Sequence, residues 1–411
     1  MTATPSPLGV GPAVARTVER AMADLADVGR LPSGGYARFA WTAVDLTLRE
    51  WFAGEAQARG MDVVGDRAGN LWAWWGDPDR DGPGVVAGSH LDSVPGGGAF
   101  DGPLGVVSAF CAVDALRERG LTPGVPLAVA CFGDEEGARF GVACAGSRML
   151  TGALAADRAL ALRDADGTTM AEALTRAGRR LDGGTGFGAD AEAMARVGTY
   201  VELHIEQGRM LDGTVPVGVG AGIWPHGRWR VELEGHANHA GTTPLDQRRD
   251  PMLDLAELVV AARASASAHG ALATVGRVLV EPNGVNAVPS HVTAWLDARA
   301  DDEGPVRAVL ADLARFAPQQ ESWTPTTVFD PALAARCAGL VGAGTPVPVV
   351  ATGAGHDAGI LSAAGVPTAM LVVRNPTGVS HSPEEHAETA DCLAGVDALT
   401  AVLADLTGAR P

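Results

Sequence analysis

The sequence predicts an α/β protein that carries an inserted α+β domain, and three observations lead there. Short apolar runs that read as buried strands alternate with helical patterns toward both ends of the chain. The middle instead holds strands that alternate polar and apolar residues, the mark of a sheet with one wet face. Clusters of His, Asp and Glu directly follow the apolar runs, where α/β folds place their sites. A length of 411 residues also exceeds one typical compact core and favours two domains.

Helical patterns cover 15–26 and 40–59. The apolar run Gly84–Gly88 leads into Ser89-His90, a buried strand opening onto a loop. The Gly- and Pro-rich stretch Pro95–Gly105 is loop; Leu104–Arg119 is helix, with Gly120 as its stop signal. Val125–Phe132 is a second buried strand, ending in Gly133-Asp134-Glu135-Glu136. Arg228–Glu234 (RWRVELE) alternates, as a half-exposed antiparallel strand does. Then come an Ala-rich helix at Pro251–His269, strands at Ala273–Val280 and Val292–Arg299, and a helix at Pro305–Phe316. This β-α-β-β-α order places the insert at 213–328 and the main domain at 1–212 and 329–411. Ala317–Phe329 is short for a last strand of the insert. The α/β character returns with Val347–Ala351, Pro367–Val373 and a helix near 390–406.

A hydrophobic content of 46% rules against disorder. The net charge of −18 argues against a nucleic-acid partner, which calls for clustered Lys and Arg. Five scattered cysteines without a CxxC pair read as reduced thiols, and the N-terminal residues lack a secretory pattern, so a cytoplasmic protein is expected. No apolar run approaches a membrane span, so no membrane partner is expected.

Four segments carry ligand-type residues. In Gly88–Val94, followed by Phe100–Gly105, His90 and Asp101 can both reach a divalent metal, and Asp92 can orient the His90 ring. In Asp134-Glu135-Glu136, one carboxylate suits a metal and the other suits proton transfer from water. His204 lies in an alternating strand pattern with Glu202 and Glu206 on its face. His381 lies in a Gly/Ser/Pro loop that gives a histidine little structural reason to be there. Three histidines and two carboxylates form a borderline N/O donor set suited to zinc, with manganese or cobalt as substitutes.

The ordered motifs GSHLDS, FDGPLG, GDEEGARFG, ELHIEQG, HANHAGTTP, NAVPS and GVSHSPEE resemble the dinuclear-zinc amidohydrolases and peptidases. The likeness is to the branch with N-carbamoyl-L-amino-acid hydrolase, β-ureidopropionase and allantoate amidohydrolase. It implies a zinc-exopeptidase-like catalytic domain, a mixed sheet flanked by helices, with an inserted lid that forms a homodimer. It implies two divalent ions held by His90, Asp101, Glu136, His204 and His381, with Asp101 bridging, and Glu135 as general base. His239 would reach the partner's site and donate to the forming oxyanion. Asn286 and Arg299 would hold the substrate carboxylate, a task that suits the planar guanidinium fork. The Gly355 backbone would contact substrate, with His356 and Asp357 as supports. The chain departs from the pattern at His226, where relatives of the allantoate type often carry glutamine.

The implied reaction is hydrolysis of a linear C–N bond in a ureido or N-carbamoyl acid. Allantoate comes first, because it offers a carboxylate and ureido groups. N-carbamoyl amino acids, and formyl or formimino amino acids, suit the same residues. A dipeptidase or aminoacylase would share the metal site, but the ELHIEQG and NHAGTT contexts favour the ureido branch. A binding protein without activity would not need both Glu135 and every ligand.

Overall fold

The computed structural model describes residues 11–179, 186–211, 213 and 215–411. Two compact units emerge. One runs to Ala221 and resumes over Val328–Val350 and Gly355–Pro411; the other is Gly222–Thr327 with Ala351–Ala354.

The strands up to the insert are β1 (Asp62–Gly65), β2 (Leu71–Trp75), β3 (Gly84–His90), β4 (Leu127–Phe132), β5 (Val197–Ile205) and β6 (Val217–Ile223). Those of the insert are β7 (His226–Glu234), β8 (Asn238–His239), β9 (Leu272–Glu281), β10 (Ala287–Val288), β11 (His291–Arg299) and β12 (Gln319–Thr324). After it come β13 (Thr327–Val328), β14 (Val349–Thr352) and β15 (Thr368–Val373).

The first unit is built on a mixed sheet of order β1-β2-β4-β3-β5-β15-β6-β13, with β14 on β6. Its centre, β4-β3-β5-β15, is parallel, and antiparallel pairs flank it. β3, β4 and β15 are buried at every residue, which is why they read as unbroken apolar runs. Helices Pro12–Leu25, Pro103–Glu118 and Thr389–Leu406 contribute Val18, Leu116 and Leu399 to the core beside this sheet. Parallel strands place the four loops after β4, β3, β5 and β15 at one end of the sheet, and all the ligand-type residues are on or near that end.

The border expected at 213 falls at 222, because β6 is a strand of the large sheet. Its glycines hid this. Gly220 faces Met370, and a Cβ there would come within 2.8 Å of the Met370 Cβ, so the VGVGAGI repeat reflects close packing and not a turn.

The second unit is an antiparallel sheet of order β12-β7-β11-β9. Alternate residues of β7 and β11, among them Trp229, Val231, Val292 and Leu296, join Leu258 and Val309 of helices Pro251–His269 and Glu303–Asp312 in a second core. The short stretch after 317 does supply the last strand, β12, with a bulge between Gln320 and Ser322. Among the described residues no helix is long and apolar enough to cross a membrane.

Candidate metal-dependent active site

His90 ends β3, and Asp101 sits in the turn before helix Pro103–Glu118. Gly102 between turn and helix is obligatory: its φ is 86°, and a Cβ would come within 2.5 Å of the His90 ring. Glu135 and Glu136 follow β4. Their turn is pinned by the first amides of the next helix: Gly146, Ala145 and Cys144 N–H donate to the carbonyls of Gly133, Asp134 and Glu135 at 2.9, 2.9 and 2.5 Å. His204 lies one residue before the end of β5, and His381 lies in the loop after β15.

These residues form two groups that share Asp101. Ligand atoms of His90, Asp101 and His204 lie within 4.8 Å of one another, and so do those of Asp101, Glu136 and His381. Asp101 Oδ1 stands 3.6 Å from His90 Nε2 and 3.2 Å from His204 Nε2; Oδ2 stands 3.5 Å from His381 Nε2. Glu136 Oε2 is 3.7 Å from the same His381 nitrogen. One carboxylate thus faces both groups with different oxygens, as a bridging ligand must.

The donor atoms suit a cation. His90 Nδ1 is 3.1 Å from the Asp92 carbonyl, and His204 Nδ1 is 2.8 Å from the Ile205 carbonyl. A carbonyl only accepts, so each Nδ1 carries a proton, and in the neutral ring that a cation would bind each Nε2 presents its lone pair. Both Nε2 atoms and Glu136 Oε1 are buried without a hydrogen-bond partner. Buried polar atoms facing a carboxylate and lacking a partner are costly unless an ion joins them.

Asp92 corrects the expectation for its side chain. Its backbone carbonyl orients His90, while its carboxylate oxygens accept from Glu135 N–H and Glu136 N–H at 3.2 and 3.0 Å. The Oδ1–Nδ1 separation of 3.6 Å is too long for a hydrogen bond. Three positions escaped the sequence reading. Gln207 Nε2 donates to Asp101 Oδ2 at 2.7 Å, Cys144 Sγ lies 3.5 Å from Glu135 Oε1, and Glu385 accepts from the Asp101 amide. Gln207 and Glu385 belong to motifs already singled out, three and four residues beyond a ligand-type histidine, so proximity was their only signal. His356 packs its ring 4.5 Å from that of His204, and Asp357 accepts from Ser147 at 2.5 Å; Gly355 immediately precedes them.

Burial holds the Glu135 carboxyl well above the usual range, with the charges of Asp357 and Glu136 adding to it and His90 opposing. Burial and then the Asp101 charge push Glu136 up to about 8. His90 is raised well above its ordinary value by Glu135, Asp101 and Asp92, against its burial.

The second unit pairs the remaining residues. His239 on β8 is the register partner of Ala287, and Ala240 N–H donates to the Asn286 carbonyl at 2.9 Å. His226 is the register partner of Arg299. The Arg299 guanidinium is held by both Asp297 oxygens (2.6 and 2.9 Å) and by the Gly353 carbonyl (2.8 Å).

Residues 86–405 match the peptidase family M20/M25/M40. The chain belongs to this family. It is 36% identical over 394 residues to an N-carbamoyl-L-amino acid amidohydrolase of Geobacillus stearothermophilus, covering 92% of this chain and 94% of the relative. It is 30% identical over 415 residues to the allantoate amidohydrolase of Escherichia coli K12, covering 95% and 98%. A hydantoinase/carbamoylase family amidase from Burkholderia vietnamiensis superposes with a TM-score of 0.86 at 30% identity, covering 98% and 99%. This M20/M25/M40 member is a hydrolase of linear amide C–N bonds.

The raised carboxyls make a prediction about the metal-free protein. Glu136 keeps a proton up to about 8 when folded, against an ordinary value of 4.5, so between those values the folded state binds more protons than the unfolded. The contribution of this group to stability then falls as pH rises through that window. Chelator-stripped protein is expected to melt several degrees lower at pH 8 than at pH 6, and restored Zn²⁺ should close the gap. Equal melting of the stripped protein at both pH values would contradict it.

Proposed function

We propose that this enzyme hydrolyses a ureido acid at a site of two divalent ions, zinc by donor type, with allantoate as substrate. The observation that carries the metal reading is the bare, buried pair His90 Nε2 and His204 Nε2 facing Asp101, with Glu136 and His381 on that carboxylate's other oxygen. When bound, such ions polarise a carbonyl and lower the pKa of water.

The chain's own groups then have separate work. Glu135, outside both ligand groups, takes a proton from the attacking water and passes it to the leaving nitrogen. His239 donates to the carbonyl oxygen as it gains charge. Arg299, its plane set by Asp297, and Asn286 hold the substrate carboxylate. His226, directly across from Arg299, would contact the rest of the substrate. The higher identity to the Geobacillus relative favours an N-carbamoyl-L-amino acid as the second reading.

Assembly as a homodimer through the insert is supported by its surface. Leu253 and Val260 on helix Pro251–His269 are 67% and 69% exposed, and Leu272 and Leu279 of β9 are 59% and 49% exposed. β9 is also an edge strand, open to pairing with a second copy.

The test is a panel assay of zinc-loaded protein. Ammonia is expected from allantoate and, more slowly, from N-carbamoyl-L-amino acids. Formate from N-formylglutamate, or free amino acids from dipeptides, without ammonia from any ureido acid would move the enzyme out of the ureido class.

A further inference from the structure

The two ligand groups are held in place by different means. His90 and His204 are buried on strands, and each ring is locked by a backbone carbonyl. His381 is half exposed, lies in a loop, and has a left-handed φ of 57°. The backbone that carries it is set by what anchors its loop.

The loop has an anchor at each end. At its start Asn375 donates to the carbonyls of Glu206 and Val379, and its side-chain oxygen accepts from Thr377 N–H and Oγ1 and from Gly378 N–H. At its end Glu385 is buried, and its Oε1 accepts from the amides of both Phe100 and Asp101 at 3.0 Å each. The Glu385 amide donates back to the Ser382 carbonyl at 3.1 Å, closing a turn directly after His381. Gly98 makes room for the carboxylate, since a Cβ there would lie 2.3 Å from Oε1. One side chain thus ties the loop of His381 to the turn of Asp101, 284 residues away in sequence.

We propose that Glu385 is a positioning residue for the second cation: it sets the spacing of Asp101 and His381, and its loss weakens that position while leaving the one at His90 and His204 filled. The inference rests on the ligand assignment above. The effect should match that of removing other outer partners of metal ligands, about 10–100-fold in affinity.

The test counts metal by plasma mass spectrometry after zinc loading and gel filtration, with chelator competition for each affinity. Wild type should hold about two ions per chain, and Glu385→Ala about one, its weaker affinity lowered by about 10–100-fold. Glu385→Gln keeps an acceptor oxygen for both amides and should stay near wild type. Gly98→Ala should follow Glu385→Ala, because it displaces the carboxylate without removing it; Gly98 has an ordinary backbone conformation, so the new Cβ adds only the clash. It carries the test should the Ala variant fail to fold. Two tightly held ions in Glu385→Ala or in Gly98→Ala, or parallel loss of both ions, would overturn the proposal. A wild type that holds fewer than two ions would overturn the ligand assignment beneath it.

Discussion

Replacing Glu135 with glutamine is expected to lower kcat by about 10²–10⁴-fold, the usual worth of a positioned general base, while metal content stays at the wild-type level. Glutamine keeps the shape and the buried fit but cannot accept a proton. Glu135 takes no part in either ligand group, although its Oε2 comes within 3.8 Å of His90 Nε2. Its backbone is fixed independently of its carboxylate, by the Asp92 oxygen on its N–H and by the Cys144 N–H on its carbonyl. The substitution should therefore leave the turn, and Glu136 with it, in place. Ammonia release and zinc content measured on the same preparation decide the matter. Zinc lost in step with activity would make Glu135 a ligand and reverse its division of labour with Glu136.

Much of this arrangement was legible in the sequence, for physical reasons that differ by residue. β3 and β4 announced themselves because parallel strands covered on both faces must be apolar throughout. β7 and β11 did so because their alternation is the imprint of one buried face. β6 did not, since its glycines serve close packing on Met370, and glycine reads as a breaker. The hairpin of β1 and β2 was also missed: the first strand is mostly exposed, so it has no apolar pattern to show. At the site, the ligand-type residues could be picked out because His, Asp and Glu rarely follow buried strands without cause. The sorting into two groups, and which Asp101 oxygen serves which, depends on the pairing of β3 and β5, and no local pattern encodes that. Asp92 shows the same limit. Its type and spacing fit a partner for His90, yet only the fold brings the Glu135 and Glu136 amides to its oxygens.

The assembly reading yields the sharpest remaining outcome, because it joins two inactive proteins into an active one. On the proposed roles, His239→Ala would remove the donor to the developing oxyanion and Glu135→Gln the base; each variant alone should be nearly inactive. If His239 serves the partner's site, a mixed dimer contains one site with intact Glu135 and an intact His239 from the other chain. Random pairing at equal amounts makes half of all dimers mixed, each with one working site of two, so about a quarter of wild-type activity should return. His239 has the exposure and the free ring edge that such a role requires. It is exposed, on the two-stranded β8–β10 ribbon, with its Nδ1 accepting from Gly241 N–H at 3.0 Å. That bond leaves the Nε2–H tautomer, a hydrogen-bond donor in the neutral ring as well as in the charged one. Donation to an oxyanion therefore does not require a protonated imidazole. If His239 instead serves its own chain, every site in the mixture lacks one of the two groups, and no activity returns even when light scattering and a tagged pull-down show that subunits have exchanged. A chain that stays monomeric at assay concentrations would fail at the exchange step, which separates loss of the dimer from loss of the cross-subunit role.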